Sequence, residues 1–142
     1  LIYYCLIRPK ETLLLKPDDI DIEKSIIRIK AEVSKTGTDR IVTMPAKVKE
    51  ILTALNVEKI NKNFLIFGKD FKPSKIAINS RDVSRRWGYL RNDLKLSKTV
   101  QFYGLKDTGI IEMLRAGVSP EAVRDQAGHS SLEMIDKSCN DS

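Results

Sequence analysis

Residues 102–138 read FYGLKDTGIIEMLRAGVSPEAVRDQAGHSSLEMIDKS and contain the only histidine of the chain, His129. Apolar residues at helical spacing predict a helix over 104–115, and Gly117 just beyond it can adopt the left-handed conformation that ends helices. A Ser-Pro-Glu sequence then opens a second predicted helix over 119–127. The positions expected to face the core are Leu105, Ile110, Met113, Leu114, Ala122, Val123 and Ala127. The stretch therefore predicts two helices joined by a short turn.

The end of this stretch combines a helix break with another helix start. Gly128 precedes His129 and is expected to end the second helix. Ser130 and Glu133 have the spacing of a capping box, which predicts a third short helix over 132–137. A histidine in such a break is often only a helix-end residue, but it can also donate a hydrogen bond to a ligand. His129 is therefore the first candidate site residue.

The rest of the chain has both helical and strand patterns. Apolar and charged residues alternate over 27–33, and an apolar stretch over 40–44 follows a turn over 34–38, which predicts a β-hairpin with Lys35 at its tip. Further helices are predicted over 1–16, with a start or kink near Pro9, over 46–55 and over 80–94, with a short buried run over 64–68. Their expected core positions are Val48, Ile51, Leu52, Leu55, Val83, Trp87, Leu90 and Leu94. The predicted fold class is α+β, a single mostly helical domain over 1–142 with a small antiparallel β-hairpin.

The charge balance of the chain is basic. It has 25 Lys and Arg against 19 Asp and Glu, a net charge of +6, which favours a polyanionic partner such as nucleic acid. Cys5 and Cys139 lie at opposite ends without metal-ligand spacing, so free thiols in a reducing, cytoplasmic compartment are expected. The apolar opening LIYYCLI is too short to span a membrane, and we expect no membrane partner.

Four motifs occur in a fixed order along the chain. They are Arg8-x-x-Glu11 before an apolar run, Lys35-Thr-Gly in the hairpin turn, Tyr103-x-x-Lys106 at a helix start, and Gly128-His129. This order and spacing resemble the tyrosine recombinase (phage integrase) catalytic domain, and the resemblance covers nearly the whole chain. It implies a C-terminal catalytic-type domain, here expected to be a fragment without the N-terminal DNA-clamping domain of the family.

The resemblance also implies roles for these residues. Arg8 would grip the scissile phosphate of double-stranded DNA with its planar fork, and Lys35 would protonate the leaving 5′ oxygen. His129 would donate a hydrogen bond to the phosphate. The family forms a phosphotyrosyl link that conserves bond energy, so we expect no metal and no other cofactor, and self-association on DNA in the full-length protein. Without the resemblance, Arg8 is a surface arginine paired with Glu11, and Lys35 a solvated turn residue.

Three positions depart from the family pattern. Tyr103 replaces a histidine. Lys106 replaces the second arginine, a change that some bacterial members of the family also have, and it keeps the positive charge but loses the bidentate fork. For both residues helix-start packing is the alternative. Ser138 stands nine positions after His129, where the family has its tyrosine nucleophile, and its hydroxyl is shorter by a whole ring. We therefore expect a DNA integration and recombination domain that is impaired in cleavage.

The predicted helix over 80–94 supplies the candidate contacts to the DNA backbone. Its arginines can bind phosphates without reading sequence, whereas Trp87 is expected in the core rather than under a stacked base. A non-catalytic DNA-binding or regulatory module with the same fold is the main alternative, and a basic domain without a nucleic-acid partner is the third. The candidate DNA contacts are Arg81, Arg85, Arg86 and Arg91.

Overall fold

The computed structural model describes residues 1–129, Glu133 and Ile135. It has an α+β fold in which helices surround a small antiparallel sheet, as predicted. The helices are α1 (Ile2–Cys5), α2 (Pro9–Leu13), α3 (Ala46–Ala54), α4 (Ser80–Asp93), α5 (Gly104–Arg115) and α6 (Pro120–Ala127), and the strands are β1 (Ile20–Asp21), β2 (Ile26–Ile29) and β3 (Arg40–Thr43). Short 3₁₀ turns lie at Pro17–Asp19, Val57–Lys59 and Lys69–Phe71.

The amino-terminal segment forms two short helices, so the prediction of one helix over 1–16 is wrong. Helix α1 ends at Leu6, which has the left-handed φ of 56°, and Arg8 is extended with ψ of 146°. Pro9 then begins α2, as the predicted helix start near it indicated. A proline suits the first turn because no backbone N–H is needed there. The break turns the chain so that Arg8 lies between two helices rather than on the face of one.

The sheet has the strand order β1-β2-β3, and both pairings are antiparallel. The predicted hairpin is confirmed by the pairing of Ile27 with Val42, both fully buried. Strand β2 ends at Ile29 rather than at position 33, because Lys30 O accepts hydrogen bonds from two amides three and four residues on and bends the chain. Strand β1 was not predicted, since two residues carry no periodic signal. The sheet holds the ends of the long 30–39 loop together.

Helix α3 packs on the sheet through a narrow stripe. Val48 and Leu52 are buried, as predicted, and belong to the core with Ile27, Ile29 and Val42. Ile51 and Leu55 are 46% and 52% exposed, so their predicted core positions are wrong. The short helix meets the sheet along one i, i+4 row only, and the neighbouring row faces outward. The predicted buried run over 64–68 is confirmed at Leu65 and Ile66.

Helices α5 and α6 form with the predicted bounds. Ile110, Val123 and Ala127 are buried and pack with Leu6 and Ile135, whereas Ala122 is exposed, against prediction. Gly109 lies where α5 meets α1, and a Cβ there would collide with the Tyr3 carbonyl oxygen. This close approach brings the start of α5 beside Arg8. Of the third predicted helix, over 132–137, Glu133 and Ile135 are helical and the other residues lie outside the described part.

Helix α4 is where the core prediction fails most clearly. Within the described structure all of its residues keep some exposure, and Leu90 and Leu94 are 46% and 59% exposed. Trp87 is half-buried and donates its indole N–H to the Val100 carbonyl at 3.1 Å. The apolar stripe has helical spacing, but no core element among the described residues crosses beneath its second half. Only the side toward Trp87 is partly covered.

Candidate active site

A cavity of about 540 Å³ opens between α2, the 30–39 loop and the start of α5. It brings together five of the six residues singled out as catalytic, although they lie far apart in sequence. Ser138, the sixth, lies outside the described residues, and the chemical roles of all six stay predictions. We call this space the cation cavity, and the candidate residues that line it are Arg8, Lys35, Tyr103, Lys106 and His129.

Arg8 is oriented by the local structure of α2. It is the N-cap residue, and Glu11 at the third helical position accepts hydrogen bonds from the Arg8 backbone N–H at 3.0 Å and from its Nη1 at 3.3 Å. The Arg8 Nη2 donates to the Gly128 carbonyl at 3.1 Å. The pairing with Glu11 is therefore real, but it lies inside the protein rather than on a surface, and it aims the guanidinium at the end of α6.

Sequence reasoning missed the second partner of Glu11, which is Arg40 at the start of β3. Arg40 donates both terminal nitrogens to the Glu11 carboxylate, at 2.9 and 2.8 Å, and the Glu11 side chain is only 1% exposed. Burial alone would raise the Glu11 pKa, but the hydrogen bonds and charges of Arg40 and Arg8 outweigh it and lower that pKa to about 2. One buried carboxylate thus pairs with two arginines and leaves the trio with a net positive charge. Its only sequence signal was an arginine three residues after the Lys-Thr-Gly turn.

Lys106 is buried within the same cluster. Its ammonium donates to the Ala127 carbonyl at 2.7 Å, and the residue is 7% exposed. Burial first, and then the nearby Arg8 and Arg40 charges, lower the Lys106 pKa to about 7. The carbonyls of Ala127 and Gly128 at the end of α6 therefore hold Lys106 and Arg8, where the negative end of the helix dipole favours cations. Near neutral pH, Lys106 is poised between its charged and neutral forms.

Lys106→Met is expected to stabilise the fold by about 1–2 kcal/mol at pH 7, because replacing an incompletely paired buried charge with an apolar chain is often favourable. In the folded protein the Lys106 pKa lies below its unfolded value of 10.5. The unfolded chain therefore binds the extra proton between about pH 7 and 10.5, and the Lys106 penalty shrinks as pH rises through that window. Urea unfolding at pH 7 and pH 10 measures the difference.

The matched control for this prediction is Lys75→Met, which changes an exposed lysine. It should shift the free energy of unfolding by less than about 0.5 kcal/mol at either pH. A Lys106→Met variant that is less stable than the parent at both pH values would show that Lys106 holds the core together.

His129 follows the left-handed Gly128, whose φ is 66°, at the end of α6. A side chain at Gly128 would lie 2.8 Å from the Arg40 guanidinium, so only glycine allows this approach. Burial first, and then the charges of Lys106, Arg8, Arg40 and Lys35, lower the His129 pKa to about 4. The imidazole is therefore neutral at pH 7, and within the described residues its buried Nδ1 has no hydrogen-bond partner.

The last turn of α6 is fixed to the sheet by Gln126, a residue that sequence reasoning did not single out. Its amide oxygen accepts from the Thr43 N–H at 3.0 Å, and its amide nitrogen donates to the Thr43 carbonyl at 2.9 Å and to the Cys5 carbonyl at 3.3 Å. The side chain thus pairs with the free edge of β3 as another strand would. This contact sets the position of the Gly128–His129 segment relative to Arg40.

Lys35 and Tyr103 form the open rim of the cation cavity. Lys35 is exposed in the loop between β2 and β3, which turns through Gly37 with a φ of 69°. Tyr103 precedes α5 and is 58% exposed. The cavity therefore has a floor formed by buried Lys106 and half-buried Arg8 and His129, and an exposed lysine and phenol at its mouth. Such an arrangement can bind an anion with two or more oxygens.

The four arginines predicted to contact DNA lie on α4 but differ in exposure and in partners. Arg85 pairs with Asp82 at 2.6 Å, and Arg86 lies over the Phe71 ring at 5.1 Å. Arg91 is half-buried and donates to the Lys98 carbonyl at 3.0 Å. Arg81 is exposed. Arg91 is thus less exposed than the other three, and the contact of all four with DNA stays a prediction.

Residues 1–129, Glu133 and Ile135 contain no group of three or more His, Cys, Asp or Glu side chains arranged to hold a metal ion. No helix among them is long and apolar enough to cross a membrane. Cys5 is a buried free thiol in the same part of the chain, and Cys139 lies outside it.

The family model described as the phage integrase family matches residues 1–139. Tyrosine recombinase XerA of Thermococcus kodakarensis is 26% identical over 133 residues, which are 93% of this chain and 45% of that protein. A tyrosine recombinase of Pseudothermotoga lettingae is 27% identical over 136 residues, with 93% and 44% covered. The chain thus spans about half the length of the curated relatives it matches.

Solved structures share the fold. The crystal structure of XerA recombinase superposes with a TM-score of 0.78 at 22% identity, covering 99% of this chain and 53% of that one. The Tn1549 transposon integrase in complex with a circular intermediate DNA gives a TM-score of 0.76 at 18% identity, covering 96% and 51%. XerH recombinase bound to its difH substrate gives 0.72 at 18% identity, covering 94% and 39%.

Proposed function

This chain belongs to the phage integrase family and has the tyrosine recombinase fold, and from that premise we propose that it is the DNA-binding, catalytic-type domain of a site-specific recombinase, impaired in cleavage by Ser138. The observation that carries the proposal is the convergence of Arg8, Lys35, Lys106 and His129 on the cation cavity. A phosphodiester is the anion that this set suits, because it presents two free oxygens to a guanidinium fork. The solved relatives with bound DNA support the same choice of partner.

In the proposed mechanism Arg8 and Lys106 bind the scissile phosphate. Arg8 turns its Nη2 from the Gly128 carbonyl toward a phosphate oxygen, while Glu11 keeps the other side of the guanidinium in place. A phosphate beside Lys106 would favour its charged form, so binding would draw a proton onto a lysine that is poised near pH 7. Both cations stabilise the charge that develops on the pentavalent phosphorus.

The other three residues supply hydrogen bonds and a proton. Neutral His129 donates from one ring nitrogen to a phosphate oxygen, and Tyr103 adds a phenolic hydrogen bond from the rim. Lys35 reaches the leaving 5′ oxygen from its exposed loop and protonates it. In the family the attacking group is a tyrosine phenol, and the serine hydroxyl at position 138 cannot reach as far. Phosphate binding is thus retained while the attack is lost.

A non-catalytic DNA-binding or regulatory module is the second candidate, and Ser138 is the observation that favours it. Both candidates bind duplex DNA, with self-association on it in the full-length protein, and both act in the cytoplasm. They differ in whether the cation cavity is still organised for phosphoryl transfer. The Ser138→Tyr variant tests this difference.

Duplex binding is expected to be weak and salt-dependent. Few phosphates are contacted by one domain, so we expect a Kd in the range of ~10⁻⁴–10⁻⁶ M, and tighter binding at 50 mM than at 200 mM salt. Arg8→Ala should weaken binding and reduce the salt slope by about one. Fluorescence anisotropy of a labelled duplex measures both quantities.

Lys75→Ala is the control, because it removes one exposed positive charge away from the cation cavity. It should change the affinity by less than Arg8→Ala does. Affinity that does not respond to salt, or equal losses in the two variants, would contradict phosphate binding in the cation cavity.

A further inference from the structure

A second cavity lies beside the cation cavity and has a different lining. It measures about 380 Å³ and runs between α2, α4 and residues 101–103. We call it the aromatic groove, because three of its walls are the rings of Trp87, Phe102 and Tyr103. Its volume falls within the range of small-molecule sites, roughly 300–1,000 Å³. Two of its lining residues, Tyr103 and Arg91, have predicted roles in the site or in DNA binding, but none of those predictions places a base in this space.

The aromatic groove adjoins the cation cavity. Pro9, Lys10 and Tyr103 line both of them. Tyr103 stands at the junction with 58% of its surface exposed, so its ring faces a ligand from either side. A group attached to a phosphate in the cation cavity can therefore extend into the groove without leaving the protein surface.

The aromatic walls are held in place before any ligand arrives. The Trp87 and Phe102 ring centroids are 5.5 Å apart with a tilt of 52° between the planes. The indole N–H of Trp87 is already bonded to the Val100 carbonyl at 3.1 Å, which fixes the orientation of the ring. Rigid aromatic surfaces of this kind are what unpaired nucleobases stack on, largely independent of sequence.

The polar side of the groove offers hydrogen-bond donors. Arg91 lines it and donates one terminal nitrogen to the Lys98 carbonyl at 3.0 Å. Ser80, Ser84 and Gln101 add further polar groups. A purely apolar partner would leave these groups unpaired at a cost, whereas the ring nitrogens and carbonyls of a base accept from them.

We propose that the aromatic groove binds one unstacked nucleobase of the DNA whose phosphate occupies the cation cavity. The inference rests on the proposed function, because the cation cavity must hold the neighbouring phosphate. Tyr103 then touches both the phosphate and the base and sets the distance between them. Stacking in the groove offsets the unstacking cost of that nucleotide and favours DNA in which one base is already unpaired.

The test compares two labelled duplexes, one with a single bulged adenine and one with an abasic bulge at the same position. Trp87 is the only tryptophan of the chain, so its fluorescence reports on the groove alone. The bulged adenine should bind about tenfold more tightly and quench Trp87, whereas the abasic bulge should bind without quenching. Equal affinity for the two duplexes with no quenching overturns the inference, while their common salt dependence leaves the proposed function standing.

Two variants and one control sharpen this test. Phe102→Leu removes a ring from the groove and should abolish the preference for the bulged adenine. Ser84→Met fills the groove from an exposed position on α4 and should do the same even if Phe102→Leu unfolds. Tyr89→Leu removes an exposed ring of α4 outside the groove and should keep the preference. A preference for the bulged adenine that survives Ser84→Met overturns the inference. If the parent chain binds neither duplex, both the inference and the proposed function are refuted.

Discussion

Glu11→Gln is expected to lower the free energy of unfolding by about 3–5 kcal/mol at pH 7, because it leaves Arg8 and Arg40 buried without a counter-charge. Their side chains are 13% and 10% exposed, and the Glu11 carboxylate is 1% exposed. The amide keeps the shape of the side chain, but its NH2 group cannot accept the hydrogen bonds that Glu11 Oε2 accepts from the Arg8 backbone N–H and from Arg40 Nη2. Urea unfolding followed by circular dichroism measures the change.

The control is Glu50→Gln, which changes a carboxylate that is 71% exposed and paired only with Lys47 at 3.5 Å. It should cost at most about 1 kcal/mol. The pH profile adds a second check. The Glu11 pKa is depressed from 4.5 to about 2 in the folded protein, so its contribution is complete above about pH 4.5 and disappears as pH falls toward 2. Two outcomes would show that the buried carboxylate does not hold the site together. One is an equal loss of unfolding free energy in the two variants, and the other is a Glu11→Gln stability that falls between pH 4.5 and 2 as the parent's does.

Ser138→Tyr is expected to convert a chain that forms no covalent link with DNA into one that forms some. The replacement phenol stands nine positions after His129, at the spacing where the family has its nucleophile. Attack on phosphorus would join the phenolic oxygen to the 3′ phosphate and release the 5′ hydroxyl, protonated by Lys35. We expect slow, partial reaction, because a missing oriented donor such as the second arginine costs roughly 10²–10³ in rate.

The assay uses a nicked duplex that carries the attachment site of the mobile DNA on which the proposed recombinase acts. A denaturing gel then detects any protein–DNA adduct. Asn140→Tyr is the matched control, since it adds the same ring two positions away. Arg8→Ala in the Ser138→Tyr background should remove the adduct while the phenol is still present. An adduct from the unmodified chain would mean that another residue attacks. A failure of Ser138→Tyr in a chain fused to an amino-terminal DNA-clamping domain of the family, with DNA binding confirmed, would mean that the site is degraded beyond position 138.

Local signals in the sequence were enough to predict α5 and α6. The Ser119–Pro120 start and the left-handed Gly117 and Gly128 act within a few residues of themselves, so their effect does not depend on the rest of the fold. The hairpin pairing followed from period-2 alternation in the same way. Helix ends that carry no such local signal were harder to predict. An example is the break after α1, where Leu6 adopts the left-handed conformation.

Which faces of the predicted helices are buried depended on the elements that pack against them, and a periodic sequence pattern does not identify those elements. Leu55, Leu90 and Leu94 lie on apolar stripes as regular as those of buried positions, yet each is more than 45% exposed because no element of the described structure covers it. Lys106 shows the opposite case, since a lysine at a helix start is usually solvated and this one is buried. Helical spacing predicts which residues share a face, and only packing decides whether that face is covered.

The sequence by itself determined the fold class, the basic charge and which residue types were available for binding a phosphate. The tertiary structure alone decided that Arg8, Lys106 and His129 share one cavity and that Glu11 and Arg40 hold it in place. The physical reason is distance: the Arg8–Gly128 hydrogen bond joins residues 120 positions apart. No local rule of propensity or capping acts over such a separation, so the electrostatics of the site exists only once α2, β3, α5 and α6 have packed together.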